Sequence, residues 1–212
     1  MWLLRMASQK SSVVAVEPKR QRGRDRVAAI MDAGAAVFTR KGYAAATMTE
    51  IAAEAGAAIG SLYRFFPTKE ALAEALVARY GAFLTTAFAE IEAKVDELTP
   101  LELAGALIEV MQSHAPERAA AIALIDARPD ASELRSTLRG ALRAATAGIV
   151  TKAAPGLSAP DALTAATLLL HVLKSLRNLP RSGTEADAHL ALEARALIAR
   201  YLAGLGKEPQ GS

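Results

Sequence analysis

The sequence has no cysteine in its 212 residues, which excludes disulfides and thiolate metal sites. Aromatic residues are only 5% of the chain and β-branched runs are scarce, so there is no strand signal to build a sheet on. No uncharged apolar run approaches the ~18 residues needed to cross a bilayer. The apolar start Met1–Met6 is too short for a secretory signal, and no cleavage-like pattern follows it. A soluble, cytoplasmic protein with no membrane partner is expected. Catalytic templates are missing too: no glycine-rich phosphate loop followed by lysine, no nucleophile elbow and no carboxylate pair of recognisable pattern. His114, His171 and His189 fall on separate predicted helices without ligand spacing, and each reads as a surface or core histidine. Neither an enzyme nor a metal or cofactor site is expected.

What is present points to packed helices. Hydrophobic content is 52% and alanine, the best helix former, dominates. The length suits one compact unit or two small domains with ample core material. Charge is unevenly placed: residues 1–26 carry +5 and the remainder −2. The basic start, including Arg22 and Arg24, reads either as a DNA-seeking arm or as a solvated tail. Residues 1–20 lack periodicity and are expected to be disordered.

The most informative stretch is Thr47–Leu72, TMTEIAAEAGAAIGSLYRFFPTKEAL. Thr47 and Glu50 have the spacing of a capping box, which starts a helix near Met48. Gly56 suits a left-handed helix end, because that conformation is cheapest without a Cβ. A second helix follows from about Ala58 to Phe66, with Leu62 and Phe66 facing the first. Pro67 cannot continue it, and Lys69-Glu70 open the next helix. Two short helices around a glycine turn are the geometry that inserts a helix into the DNA major groove. Beside such a motif, the basic start is read as an arm.

These residues resemble the DNA-binding region of the TetR/AcrR family of bacterial transcription regulators. The resemblance rests on Thr47, Ile51-Ala52, Ala55-Gly56, Gly60-Ser61-Leu62-Tyr63, Phe66-Pro67 and Lys69-Glu70-Ala71-Leu72. Upstream, Phe38, Gly42 and Tyr43 fall where that family has its Phe and Gly positions. The matching positions run without a gap from about Val27 to Leu72; beyond them only the helical pattern is shared. Two departures stand out. Ala57-Ala58 replaces a frequent Val-Ser, so Ala58 offers neither a hydroxyl cap nor a hydroxyl for a phosphate. Phe65 stands where a histidine or tyrosine is frequent.

Side-chain chemistry assigns roles on the DNA side. Thr47 and Thr49 present hydroxyls and helix N-terminal amides suited to a phosphate. From Ala57 through Ala58 and Gly60 to Ser61 the only bulky side chain is Ile59, so the backbone can come close to base edges; Ile59 could touch a thymine methyl. Arg64 can reach guanine O6 and N7, or serve as a surface or phosphate arginine. Ser61, Tyr63 and Lys69 are implied as phosphate contacts by the resemblance.

The rest of the chain reads as helices with regular punctuation. One runs from about Arg24 to Lys41 and should stop in a Schellman pattern, with Gly42 at C′ and Tyr43 folding back on Phe38. A long helix starts at Pro67 or Thr68 and ends near Leu98; Thr99-Pro100 opens another to about Gln112. Further helices are expected over 116–127, from a cap at Asp130 to Ala153, from Asp161 to Asn178 after a break at Pro160, and from a Thr184 cap to Leu205. The first of the last two is apolar round most of its circumference, and the second carries a broad apolar face. Position and pattern resemble the family's dimer interface, with Leu169, Leu173, Leu176, Leu190, Leu197 and Tyr201 as candidate contacts; burial within one chain is the alternative. The resemblance also implies a small-molecule pocket in the body, for which Tyr80, Phe83, Phe88, Met111, His114, Ile122 and Ile125 are candidate liners. Few charges interrupt these faces, which favours an apolar or amphipathic effector.

The reading is therefore all-α: a disordered tail 1–20, a helix-turn-helix domain 21–72 and a helical ligand-binding and dimerisation domain 73–212. It describes a homodimeric repressor that binds a palindromic DNA operator and is released by an effector. The rival is a helical small-molecule carrier or enzyme with a vestigial helix-turn-helix.

Overall fold

The structure, a computed structural model, describes residues 21–113, 115–127, 132–176 and 184–206. Among them there are only helices: α1 (Gln21–Ala45), α2 (Met48–Glu54), α3 (Ile59–Phe65), α4 (Lys69–Ala93), α5 (Pro100–Gln112), α6 (Ala115–Ala127), α7 (Ser132–Ala153), α8 (Ala159–Leu176) and α9 (Glu185–Gly204). A short 3-10 turn, Val95–Glu97, follows α4. The expected tail 1–20 and the cap at Asp130 lie outside the described residues.

Two compact units emerge. The first takes the described residues up to Tyr80 together with those of Pro116–Pro129; the second takes Gly81–Ala115 and the described residues from 132 onward. The expected boundary at residue 72 falls inside α4, which begins in the first unit and ends in the second.

In the first unit, α1 buries Ile30, Gly34, Val37 and Phe38 on one stripe, as 3.6-residue periodicity requires. A Cβ on Gly34 would lie 3.1 Å from Leu72 Cδ2, so α1 and the start of α4 touch at that point. An Arg79–Asp32 ion pair of 2.7 Å joins the same two helices. Phe38 is 1% exposed, and truncating it to alanine should cost about 3–5 kcal/mol.

The break in α1 differs from the expected one. Gly42 has positive φ as anticipated, but at φ 78, ψ 161 it lies outside the left-handed helical region, and Tyr43–Ala45 resume helical turns beyond it. Tyr43 does fold back, with its ring 5.6 Å from that of Phe38. The Schellman arrangement occurs at the other glycine. Gly56 (φ 57) donates to Ala53 O at 3.1 Å and Ala57 donates to Ala52 O at 2.9 Å, which closes α2.

In the second unit α7 packs on α8 and α5 on α9, around Leu103, Leu107, Ile149, Leu169 and Leu173. Arg195 of α9 donates from Nε to Leu101 O of α5 at 2.8 Å. The Thr99 cap is a full capping box with Glu102, and Pro100 occupies the first helical position. Glu102 is held below the usual carboxylate range by its hydrogen bonds from Thr99. Helix α8 starts two residues earlier than expected, with Pro160 inside its first turn rather than in a preceding break. A proline there removes only an N–H that the first turn leaves unpaired anyway. Thr184 caps α9 as expected.

Candidate nucleic-acid interface

The helix-turn-helix is built by local hydrogen bonds at each end of α2. Thr47 Oγ1 accepts from the Glu50 amide at 3.2 Å, and the Glu50 carboxylate accepts from the Thr47 amide at 3.1 Å. Lys41 donates to the same carboxylate. Those bonds, Lys41 first and Thr47 second, hold the Glu50 carboxyl below its ordinary value. An exposed ion pair between Arg40 and Glu54 at 3.0 Å lies alongside and contributes little by itself.

Helix α3 then has two faces. Leu62 and Phe65 are buried on one side, and Phe66 just past its end is 1% exposed. Ile59, Gly60, Tyr63 and Arg64 are exposed, and at 100° per residue these positions share one stripe about 140° wide. Ile59 and Tyr63 are 41% and 47% exposed, unusual for side chains of that size. Arg64 lies with its guanidinium 4.6 Å from the Phe65 ring centroid. Phe65 is buried, which explains how an apolar ring serves at a position where the resemblance suggested a polar one. Ala58, the N-cap, is exposed and makes no side-chain cap bond, so α3 lacks about 1 kcal/mol of capping as expected.

The remaining expected DNA contacts fall in different settings. Thr47 and Thr49 are exposed at the start of α2, and Arg22 and Arg24 are exposed on the first turn of α1. Arg24 is engaged with Gln21 Oε1 at 2.7 Å. Ser61 differs from the others: its Oγ is covered and has no hydrogen-bond partner among the described residues. It sits about 60° beyond the edge of the exposed stripe, so its hydroxyl is turned away from solvent. Lys69 is engaged within its own chain. Its ammonium donates to the carbonyls of Tyr43 (2.9 Å), Ala44 (3.2 Å) and Ala46 (3.0 Å), which accounts for all three N–H bonds. Tyr43 forms a polar junction at the same point, where its hydroxyl donates to Glu70 Oε1 at 2.8 Å.

The other candidate residues also find places. Leu169 and Leu173 are 1% and 0% exposed inside the second unit, because the face of α8 that carries them packs on its own chain. Leu190 and Leu197 are exposed on α9, while Leu176 and Tyr201 are half-buried; burial raises the Tyr201 hydroxyl above its ordinary pKa. Leu163 and Leu168 of α8 are exposed too. Among the pocket candidates, Tyr80, Phe88, Met111 and Ile125 are buried, and Phe83 and Ile122 half-buried. His114 lies outside the described residues. None of the described candidates lines the cavity of about 450 Å³ in the second unit, whose walls include Val95, Leu98, Leu103, Leu202, Asp96 and Lys152. That cavity gathers residues from the ends of several helices, which periodicity along any one of them does not reveal.

Residues 30–76 match the model of the family described as bacterial regulatory proteins, tetR family. No curated protein sequence matches. Several solved structures share the fold. The tetR-family transcriptional regulator PfmR from Thermus thermophilus is similar at 19% identity and TM-score 0.61, over 84% of this chain and 99% of that one. A bacterial regulatory protein of the tetR family from Rhodococcus RHA1 is similar at 19% identity and TM-score 0.64, over 84% and 96%. The fatty acid degradation regulator FadR from Bacillus halodurans is similar at 17% identity and TM-score 0.57, over 92% and 100%. At these identities the likeness to the solved structures is one of fold.

Proposed function

We propose that this chain, which carries a tetR-family helix-turn-helix segment at residues 30–76, is a DNA-binding regulator of transcription. Helix α3 is its reading element. The observation that carries this is the exposed stripe Ile59, Gly60, Tyr63 and Arg64, held outward by Leu62, Phe65 and Phe66. Large apolar side chains left in water together with a cation and a glycine suit a groove lined by bases, methyl groups and phosphates. Thr47 and Thr49 at the start of α2, and Arg22 and Arg24 on α1, would meet the phosphate backbone and set the register. Arg64 would reach a guanine edge.

A single short helix reads few bases, so the regulator acts as a homodimer on an inverted repeat. The support for pairing is the exposed apolar residues Leu163 and Leu168 of α8 and Leu190 and Leu197 of α9. On α8, Thr164, Thr167 and Ser175 each donate to the carbonyl four residues earlier, at 2.9, 2.7 and 3.1 Å. Those hydroxyls could be covered by a second copy without leaving a donor unpaired. In this reading the output is repression, relieved when an apolar or amphipathic effector bound in the helical body displaces α4. That helix runs from the body to the helix-turn-helix, so a shift along it reaches Lys69.

Fluorescence anisotropy on the DNA flanking the chain's own coding region, with a scrambled duplex as control, tests the reading. Preferential binding to an inverted repeat is the expected result. Equal affinity for both duplexes at every salt concentration would reject sequence-specific regulation.

A further inference from the structure

Three groups meet where α1 gives way to α2. The carbonyls of Tyr43, Ala44 and Ala46 converge on Lys69 Nζ, the first residue of α4, at 2.9, 3.2 and 3.0 Å. The Tyr43 ring lies beneath the same ammonium, 4.7 Å from centroid to nitrogen. The Tyr43 hydroxyl donates to Glu70 Oε1 at 2.8 Å, and its ring is backed by Phe38. The kink at Gly42, with backbone angles that only glycine adopts readily, sits directly before these carbonyls. Ala46 precedes Thr47, the cap of α2, so the ammonium holds the doorway of the helix-turn-helix.

We propose that Lys69 is a positioning residue for DNA binding, which ties the first turn of α4 to the entrance of α2 and does not itself hold a phosphate. The inference rests on the DNA-binding reading above and deepens it. An ammonium has three N–H donors, and three carbonyls at hydrogen-bonding distance use them all. To meet a phosphate it would have to release at least one of those carbonyls. The tetrahedral ammonium suits three acceptors gathered round one point, whereas a planar guanidinium presents its donors as a fork. Tyr43 and Glu70 add a second tie across the same junction, 27 residues apart in sequence. Together the two ties fix where α2 and α3 stand relative to α4 within this unit.

The test uses the full-length chain and its Lys69→Met, Lys69→Arg and Tyr43→Phe variants, with thermal melts to set an assay temperature at which each is folded. DNA affinity is measured by anisotropy across a series of salt concentrations. A positioning role predicts that Lys69→Met weakens binding by about tenfold with a wild-type salt slope, that Lys69→Arg does not rescue it, and that Tyr43→Phe and Lys69→Met combine non-additively. A salt slope reduced by about 0.9 in Lys69→Met, with affinity and slope restored by Lys69→Arg, overturns the proposal in favour of a phosphate contact. Unchanged affinity in a folded Lys69→Met variant overturns it equally. Should Lys69→Met fail to fold, lysine ammonium NMR on the wild type decides. A slowly exchanging Lys69 signal that DNA leaves in place supports the tie, and a signal that DNA displaces overturns it. A wild-type chain that binds no DNA but keeps that slow signal rejects the DNA-binding reading and this role with it, while the tie itself survives.

Discussion

Replacing Gly60 by alanine should move stability and DNA affinity in opposite directions. Gly60 is the second residue of α3, and its φ is not among the positive ones. No heavy atom lies within 4 Å of where its Cβ would be. The fold therefore gains nothing from the missing side chain, yet a glycine in a helix is about 0.5–1 kcal/mol less favourable than alanine. Gly60→Ala should thus stabilise the protein by about that amount, or roughly 1–4 °C in melting temperature for a chain of this size. The added methyl would stand on the stripe between Ile59 and Arg64, which in the proposed reading faces the base edges. Pushing one methyl into such a contact should cost about 1–3 kcal/mol, a loss of roughly 5- to 150-fold in operator affinity. Calorimetry reads the first quantity and anisotropy on an inverted repeat reads the second. A variant that is more stable and binds DNA as tightly as wild type would remove Gly60 from the interface. A destabilised variant would show that the space around Gly60 is not open.

Other substitutions separate the remaining roles. Ser61→Ala removes a covered, unpaired hydroxyl, so chemical denaturation should show unchanged or higher stability, by up to about 1 kcal/mol; a clear loss would mean that the hydroxyl has a partner. Arg64→Ala should relax preference at one base position per half-site at a cost of roughly 1–3 kcal/mol, and an unchanged consensus in a selection experiment would make it a backbone contact. Leu168→Glu with Leu197→Glu should give folded monomers by sedimentation, because both leucines are exposed; Leu173→Glu should instead unfold the chain, since it is 0% exposed and its carboxylate would be buried unpaired. Glu50 has a folded pKa below the ordinary 4.5, so its contribution is present above that value and is lost as pH falls through the folded pKa. In Glu50→Gln the drop in stability below pH 4.5 should shrink, and an identical acid limb would contradict the assignment.

The parts of this fold that could be read from sequence are those decided within a few residues. Thr47 with Glu50 and Thr99 with Glu102 are three apart, and Gly56 needs only its own backbone, so each could be placed from residue type. The exposed stripe of α3 follows from period alone once Leu62 is taken as buried. What escaped was set by partners far along the chain. Lys69 looks like a free cation in sequence, and only folding brings carbonyls 23 to 26 residues away onto its ammonium. Ser61 lies only about 60° beyond the edge of the stripe, too fine a distinction for a pattern of residue types. Most of the circumference of α8 is apolar, so periodicity could not say that Leu169 and Leu173 serve their own unit while Leu163 and Leu168 stay exposed. Pro160 misled because a proline reads as a break, although it is harmless in a first turn.

Whether α3 reads DNA as one of a symmetric pair is decided by selection from a pool of random-sequence duplexes with the purified wild-type chain. A symmetric pair should enrich an inverted repeat whose half-site centres are one helical turn, roughly 34–36 Å, or a multiple of it apart. A pool that stays random after repeated rounds, or converges on a single unrepeated site, would contradict it.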